Sequence, residues 1–399
     1  MFDPASVRVQ GPLRAYVAGL WADLMRQGYS PPSAGNLIRL AAHFSRWVEA
    51  DGLSLHDLTE DHAAAFLRQR CRQGYTHLRT RRALEPLLGH LRAIGVVPTP
   101  GPVLDETPAG RLVREYAGYL TRERGLGTST IRAYTDFARR FVIEERPRLD
   151  WDRLTAAEIT GLILRCSRRS GLSSCKHTVT CLRSLLRFLH VVGAIRQDLA
   201  SCVPAVAGWR LAGLPTALEA SQIDRLLSCF DRSLTGLRDA AIVRLLLRLG
   251  LRAGEVAALV LDDVDWRSGE ISVQGKGRHR SRLPLPTDVG RVLAEYVRHG
   301  RPRATTRSLF LRSRAPYTGV RPGAIKAVAR TALRRAGVVA GGAHLPRHTT
   351  ATQLLRRGAS LPEIAHVLRH RHIDTTAIYA KVDLASLGAL ARPWPGGAP

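Results

Sequence analysis

Glu270-Ile271-Ser272-Val273-Gln274-Gly275-Lys276-Gly277-Arg278-His279-Arg280-Ser281-Arg282-Leu283-Pro284-Leu285 is the stretch on which the fold class turns. Ile271 and Val273 alternate with polar residues, the period of a half-buried strand, and the glycines flanking Lys276 let the chain reverse, so a β-hairpin is predicted. Around it the period is helical. Residues 236–249 form a dense apolar run closed by Gly250, which suits the position just past a helix end. Downstream, helices are predicted over 324–336 and 347–357, the second stopped by Gly358. Ser360 and Glu363 have capping-box spacing for a further helix, since each can satisfy a backbone donor at its start. A mainly α chain with a small β-sheet in its last domain (α+β) follows.

Working outward, residues 98–110 carry four prolines and two glycines, and residues 203–215 carry two of each. Both stretches read as linkers. They divide the chain into 1–100, 108–205 and 212–399. The first two segments resemble copies of one helical unit: Leu24 parallels Leu120, Phe44 parallels Phe141, Leu58-Thr59 parallels Leu154-Thr155, and Gly95 parallels Gly193, at an offset near 97. Within each copy apolar residues recur every three or four positions, as in Leu37, Leu40, Ala41, Phe44, Trp47, Val48 and in Leu182, Leu185, Leu186, Leu189. Amphipathic helices built twice on one plan are the expectation.

Charge narrows the function. Of 399 residues, 60 are Lys or Arg against 33 Asp or Glu, leaving +27, and only four of the cations are lysine. Such a field attracts polyanions, so double-stranded DNA is the expected partner. The six cysteines form no C-x-x-C pair and have no histidines at zinc-finger spacing, so reduced thiols and no metal or other cofactor are expected. No apolar run approaches the roughly 18 residues of a membrane span, and the start lacks a signal-peptide profile. The expected location is the cytoplasm, on the nucleoid.

Metal-free cleavage of DNA requires a nucleophile, cations that neutralise the pentavalent transition state, and an acid for the departing oxygen. Tyr379 supplies a phenol nine residues after His370 and downstream of His344-Leu345-Pro346-Arg347-His348. Arg347 and Arg252 suit phosphate because a planar guanidinium donates bidentately. Arg252 stands at a helix start, and Glu255 three residues on can orient it. Lys276, at the hairpin tip, has the adjustable ammonium of a proton donor.

Gly250-Leu251-Arg252 with Glu255, the Gly-Lys276-Gly hairpin, His344-x-x-Arg347-His348, His370 and Thr375-Thr376-Ala377-Ile378-Tyr379 together resemble the tyrosine site-specific recombinases, the phage-integrase family. Order and separations match across the third segment, and the second, with Thr128-Ser129-Thr130, Arg132 and Tyr134 near its start, resembles the family's helical core-binding domain. The resemblance implies that Tyr379 attacks the scissile phosphate to give a 3′-phosphotyrosyl intermediate, that Arg252 and Arg347 grip the non-bridging oxygens, and that Lys276 protonates the leaving oxygen. It gives His344 the acid/base role, His370 a phosphate contact and Glu255 a supporting one, and it places Arg278, Arg280, Arg282, Thr128 and Arg132 on DNA. It also implies exchange of strands at specific sites within a synaptic tetramer, with partner recombinases or accessory proteins, in the service of integration, excision or transposition of a mobile element. His348 is expected as a helix-packing residue, and His366 and His372 as surface or packing residues.

The chain departs from the pattern in three places. Arg369 stands where the family usually has glycine, Pro346 where it favours leucine, and residues 1–100 add a second helical DNA-binding domain ahead of the core-binding one, a unit that members often lack. Pro346 fits a first helical turn, where its missing donor is harmless. Arg369 conflicts with the left-handed backbone that a glycine permits. Two other classes fit the same residues: a type IB topoisomerase relaxing DNA, and a non-catalytic architectural DNA-binding protein.

Overall fold

The computed structural model describes residues 7–101, 105–145, 151, 154–207, 216–275, 280–338, 341–370, 372 and 375–382. Four helices come first: α1 Val17–Arg26, α2 Pro31–Ala50, α3 Glu60–Arg72 and α4 Arg81–Ala93. Pro31 occupies the first turn of α2, where its fixed φ is already helical, and Thr59 and His62 close a capping box on α3. The apolar stripe of α2 buries Ile38, Leu40, Phe44 and Val48 completely or nearly so. Rings of Phe44, Trp47 and Phe66 meet at centroid distances of 5.0–5.9 Å and fix α2 against α3.

A second set follows in the same order: α5 Pro108–Arg122, α6 Thr128–Glu145, α7 Ala156–Arg169 and α8 Leu172–Val191. Thr155 and Glu158 cap α7 as Thr59 and His62 cap α3. The core of this set centres on Leu120, Leu182, Leu185, Leu186 and Leu189, and the buried Tyr116 hydroxyl donates to Ser184 Oγ at 2.8 Å. Residues Pro100–Ala212 form one compact unit, while Met1–Thr99 and Gly213–Pro399 cluster as another. The first segment, which has its own core, touches the third directly. The Tyr317 N–H donates to the Gln27 carbonyl at 3.0 Å, and its ring covers Gly28, where a Cβ would lie 2.1 Å from a ring carbon. With φ at +87°, that position accepts only glycine on both counts.

The third segment is organised by α10 Leu234–Arg248, which buries Leu237, Ala241, Ile242, Leu245 and Leu246. Short α9 Ala220–Ser228 precedes it, and α11 Ala253–Ala258, α12 Thr287–Glu295, α13 Pro322–Arg335, α14 Leu345–Arg356 and α15 Leu361–Val367 follow. The sheet is antiparallel in the order β1 Val264–Asp265, β2 Glu270–Gln274, β3 Arg280–Pro284, with Ile271 opposite both Val264 and Leu283. Ile271 and Val273 are fully buried, as their alternation predicts. Ser360 and Glu363 form the predicted capping box of α15. Among the described residues no helix is long and apolar enough to cross a membrane.

Candidate active site

Three local structures bring the chemistry together. Gly250 turns the chain past α10 with φ at +57°, and Arg252 becomes the residue that opens α11. Its N–H donates to Glu255 Oε2 at 2.9 Å while its guanidinium donates to Oε1 at 2.6 Å, so one buried carboxylate fixes both ends of the residue. Pro346 lies in the first turn of α14, the place where it is harmless, and the next residue, Arg347, is 5% exposed. Arg347 Nη1 donates to the Gly250 carbonyl and Nη2 to the Leu368 carbonyl. One guanidinium thereby ties α14 to the turn before Arg252 and to the end of α15.

At that end the chain enters the left-handed region at Arg369, with φ at +55°. The conflict read from the sequence is real and is resolved by charge. Arg369 Nη2 reaches Glu255 Oε2 at 3.0 Å and Nη1 donates to the Val367 carbonyl at 2.9 Å, so the arginine does what glycine cannot: it becomes a second counter-ion for the carboxylate that orients Arg252. Burial would raise Glu255, but the Arg252 N–H and the guanidiniums of Arg369 and Arg252 hold it below the ordinary carboxylate range. Replacing Arg369 with glycine is expected to destabilise the fold by about 1–3 kcal/mol. The relieved backbone is worth roughly 1–2 kcal/mol, less than breaking a buried ion pair. Urea unfolding measures this, and a more stable glycine variant would refute it.

Tyr379 sits in a 3₁₀ turn, Ala377–Val382, 2% exposed against Ala351, Ile364 and Leu368. Its hydroxyl is hydrogen-bonded to His348 Nδ1 at 2.7 Å. Burial raises the phenol pKa, and Arg347 partly opposes that. The turn is held by His370, whose Nδ1 is 2.6 Å from Thr376 Oγ1, and the Thr376 carbonyl accepts the Tyr379 N–H at 3.0 Å. Sequence reading left His348 to packing. The signal for it was its spacing, since His348 lies four residues after His344, the residue that caps α14, and its N–H donates to the His344 carbonyl. Thr376 was legible as part of the motif ending in Tyr379 but was given no role, and the charge role of Arg369 carried no signal.

The electrostatics favour an anion. Arg252, Arg347 and Arg369 converge with Glu255 between them, and burial brings Arg347 down to about 10. Burial first, and then Arg347, Lys326 and Arg252, lower His344. His348 is lowered by burial, His344 and Arg347, and His370 falls to about 4 through burial, Arg347, Arg252 and Arg369. In all three imidazoles the neutral form is favoured. Because the folded value of His370 lies below the ordinary 6.5, the unfolded chain takes up the proton first. Its contribution to stability is present above pH 6.5 and is lost as pH falls towards 4. Melting temperatures across that window are expected to drop with acid, and His370→Asn should flatten the drop; parallel curves would contradict this.

The other candidates are more dispersed. Lys276 and Arg278 lie outside the described residues. Arg280 and Arg282 project from the solvent face of β3, near Asp263 at 2.9 Å and Glu270 at 3.8 Å. In the other compact unit Thr128 opens α6 and Arg132 is exposed, 3.9 Å from Asp136. Among the described residues no group of His, Cys, Asp and Glu is arranged to hold a metal.

Comparison with known proteins places these features in context. Residues 216–385 match the model of the phage integrase family. A Sinorhizobium fredii protein described as an integrase/recombinase is 39% identical over 98% of this chain and 96% of its own length. The tyrosine recombinase XerD of Listeria monocytogenes is 30% identical over 68% of this chain and 94% of its own. Among solved structures, the XerH site-specific recombinase in its post-cleavage complex with a palindromic difH substrate aligns at TM-score 0.57 and 16% identity, over 82% of this chain and 93% of that one. Lambda integrase residues 75–356, a dimer bound to a COC′ core site, align at TM-score 0.52 and 15% identity over 67% and 94%. These last two show a shared fold.

Proposed function

This chain belongs to the phage integrase family of tyrosine recombinases, site-specific recombinases that cleave and rejoin DNA through a tyrosine intermediate, and from that premise we propose which of its residues perform each step. Tyr379 Oη attacks the scissile phosphorus, forming the 3′-phosphotyrosyl bond as the P–O5′ bond breaks. Arg252 and Arg347 receive the charge on the non-bridging oxygens, and Lys276 gives its proton to the departing 5′ oxygen. His344 takes the tyrosine proton, and His370 contacts the phosphate while holding the nucleophile's turn. Glu255 orients Arg252. The incoming 5′-hydroxyl of a second duplex reverses these steps, so bond energy is conserved.

The observation that carries this reading is the convergence of Arg252, Arg347 and three histidines around the segment that bears Tyr379. A phosphodiester supplies the negative charge that three guanidiniums and one carboxylate lack. Tyr379 is buried on His348 in the observed position, so His348 is assigned the holding of the resting nucleophile and His344 its deprotonation during attack. A suicide substrate that traps the covalent complex separates the two. His344→Ala is expected to slow trapping by about 10²–10⁴-fold, the contribution of a general base, and His348→Ala by far less. Equal losses would overturn the division of roles.

The partner is double-stranded DNA bearing recombination sites, bound by two or more copies, with the family's four-subunit synapse as the working assembly. Integration, excision or transposition of a mobile element is the biological setting. The matching order of α1–α4 and α5–α8, with α2 and α6 beginning at Pro31 and Thr128, supports reading 1–100 as a duplicate of the core-binding unit 108–205, ahead of a catalytic domain 212–399.

A further inference from the structure

A cleft of about 550 Å³ opens between α2 and α3 in the first segment, lined by His43, Arg46, Trp47, Phe66, Arg70 and Tyr75. It shares no residue with the site around Tyr379. Arg70 is 7% exposed, yet its Nε and Nη1 have no hydrogen-bond partner. Its guanidinium carbon lies 3.8 Å from the Tyr75 ring centroid, and Tyr75 meets His43 edge-on at 5.4 Å. Stacking occupies the face of the guanidinium and leaves these donors at its edge unused.

A buried cation with idle donors is unfavourable unless something pairs with it. Arg46 stands exposed beside it, its Nη2 3.2 Å from His43 Nδ1. Burial, Arg46 and Arg70 all lower His43, so the cleft already resists another positive charge. Asp51 also lines the cleft and is its one carboxylate. The ligand these groups fit is an oxyanion with paired acceptor oxygens. Exposed Arg68 and Arg72 on the same helix, together with the net charge of +27, favour an anion that belongs to a polyanion.

We propose that the α2–α3 cleft binds the phosphodiester backbone of double-stranded DNA through Arg70 and Arg46, giving the first segment its own DNA contact. The proposal rests on the recombinase reading for its DNA. It names the residues of a contact that reading 1–100 as a duplicate of the core-binding unit leaves unassigned.

The test uses the full-length protein and measures duplex binding by fluorescence anisotropy over a range of NaCl concentrations, on two unrelated sequences. Arg46→Gln is expected to lower the magnitude of the log K against log[salt] slope by about one, and Arg46→Gln with Arg70→Gln by about two, equally on both sequences. Arg70→Lys keeps the charge and should keep the slope. If Arg70→Gln does not fold, exposed Arg46→Gln alone decides. Unchanged slopes would overturn the proposal. So would stabilisation of the wild type by inorganic phosphate that the double variant loses while its DNA slope stays the same, because the cleft would then serve a free anion. Failure of the wild type to bind any duplex would overturn both this inference and the recombinase reading.

Discussion

Tyr379→Phe is expected to abolish covalent attachment to DNA while leaving DNA binding unchanged. The phenylalanine ring keeps the same apolar neighbours, Ala351, Ile364 and Leu368, so the 3₁₀ turn that carries it has the same reason to stay folded. What is lost is the oxygen that forms the phosphotyrosyl bond and its hydrogen bond to His348. The lost hydrogen bond is worth roughly 1 kcal/mol of stability, a small change beside the loss of the nucleophile, for which no neighbouring group can substitute. On a suicide substrate the wild type should accumulate a band resistant to denaturation, and the variant should give none while shifting the same DNA in a native gel. An adduct formed by the variant would mean that another side chain is the nucleophile, and every role assigned relative to Tyr379 would fall with it.

Most of the fold was legible because its signals are local. The alternation of Ile271 and Val273, the capping box at Ser360 and the glycines at 250 and 358 each act within a few residues, and each is found where the pattern placed it. The chemistry-bearing residues were legible for a different reason, since their types and spacing resemble a family whose mechanism needs them. The contacts between distant residues were not legible. Glu255 and Arg369 are 114 positions apart, and their ion pair can be found only when the fold brings the end of α15 against α11. Sequence reading therefore saw in Arg369 a strained replacement for glycine and missed the charge that offsets the strain. The same limit applies to His348, whose partner is 31 residues away, and to Tyr317, which fastens the first segment to the third across a gap of 290 positions.

Arg347→Ala is expected to lower both stability and rate by large factors, because this residue connects the site to the fold. Its guanidinium reaches two carbonyls, Gly250 just before Arg252 and Leu368 just before Arg369, and both bonds are buried. Truncation leaves two acceptors without donors and opens a gap beneath three elements, a loss of about 3–5 kcal/mol by analogy with other buried charged networks. The catalytic loss is separate. A guanidinium carries five N–H donors, and two are taken by the backbone, so three remain for an incoming phosphate. The carbonyls hold the plane of the group and thereby aim those three. Removing one such preorganised donor typically slows reaction by about 10²–10³-fold. Arg347→Lys separates the two effects: an ammonium retains the charge and can satisfy one carbonyl, but it cannot span both while still presenting donors to phosphate. It should therefore recover part of the stability, measured by urea unfolding, and little of the rate of covalent trapping. A lysine variant that traps DNA at the wild-type rate would show that charge alone suffices and that the fixed plane of Arg347 is not part of catalysis.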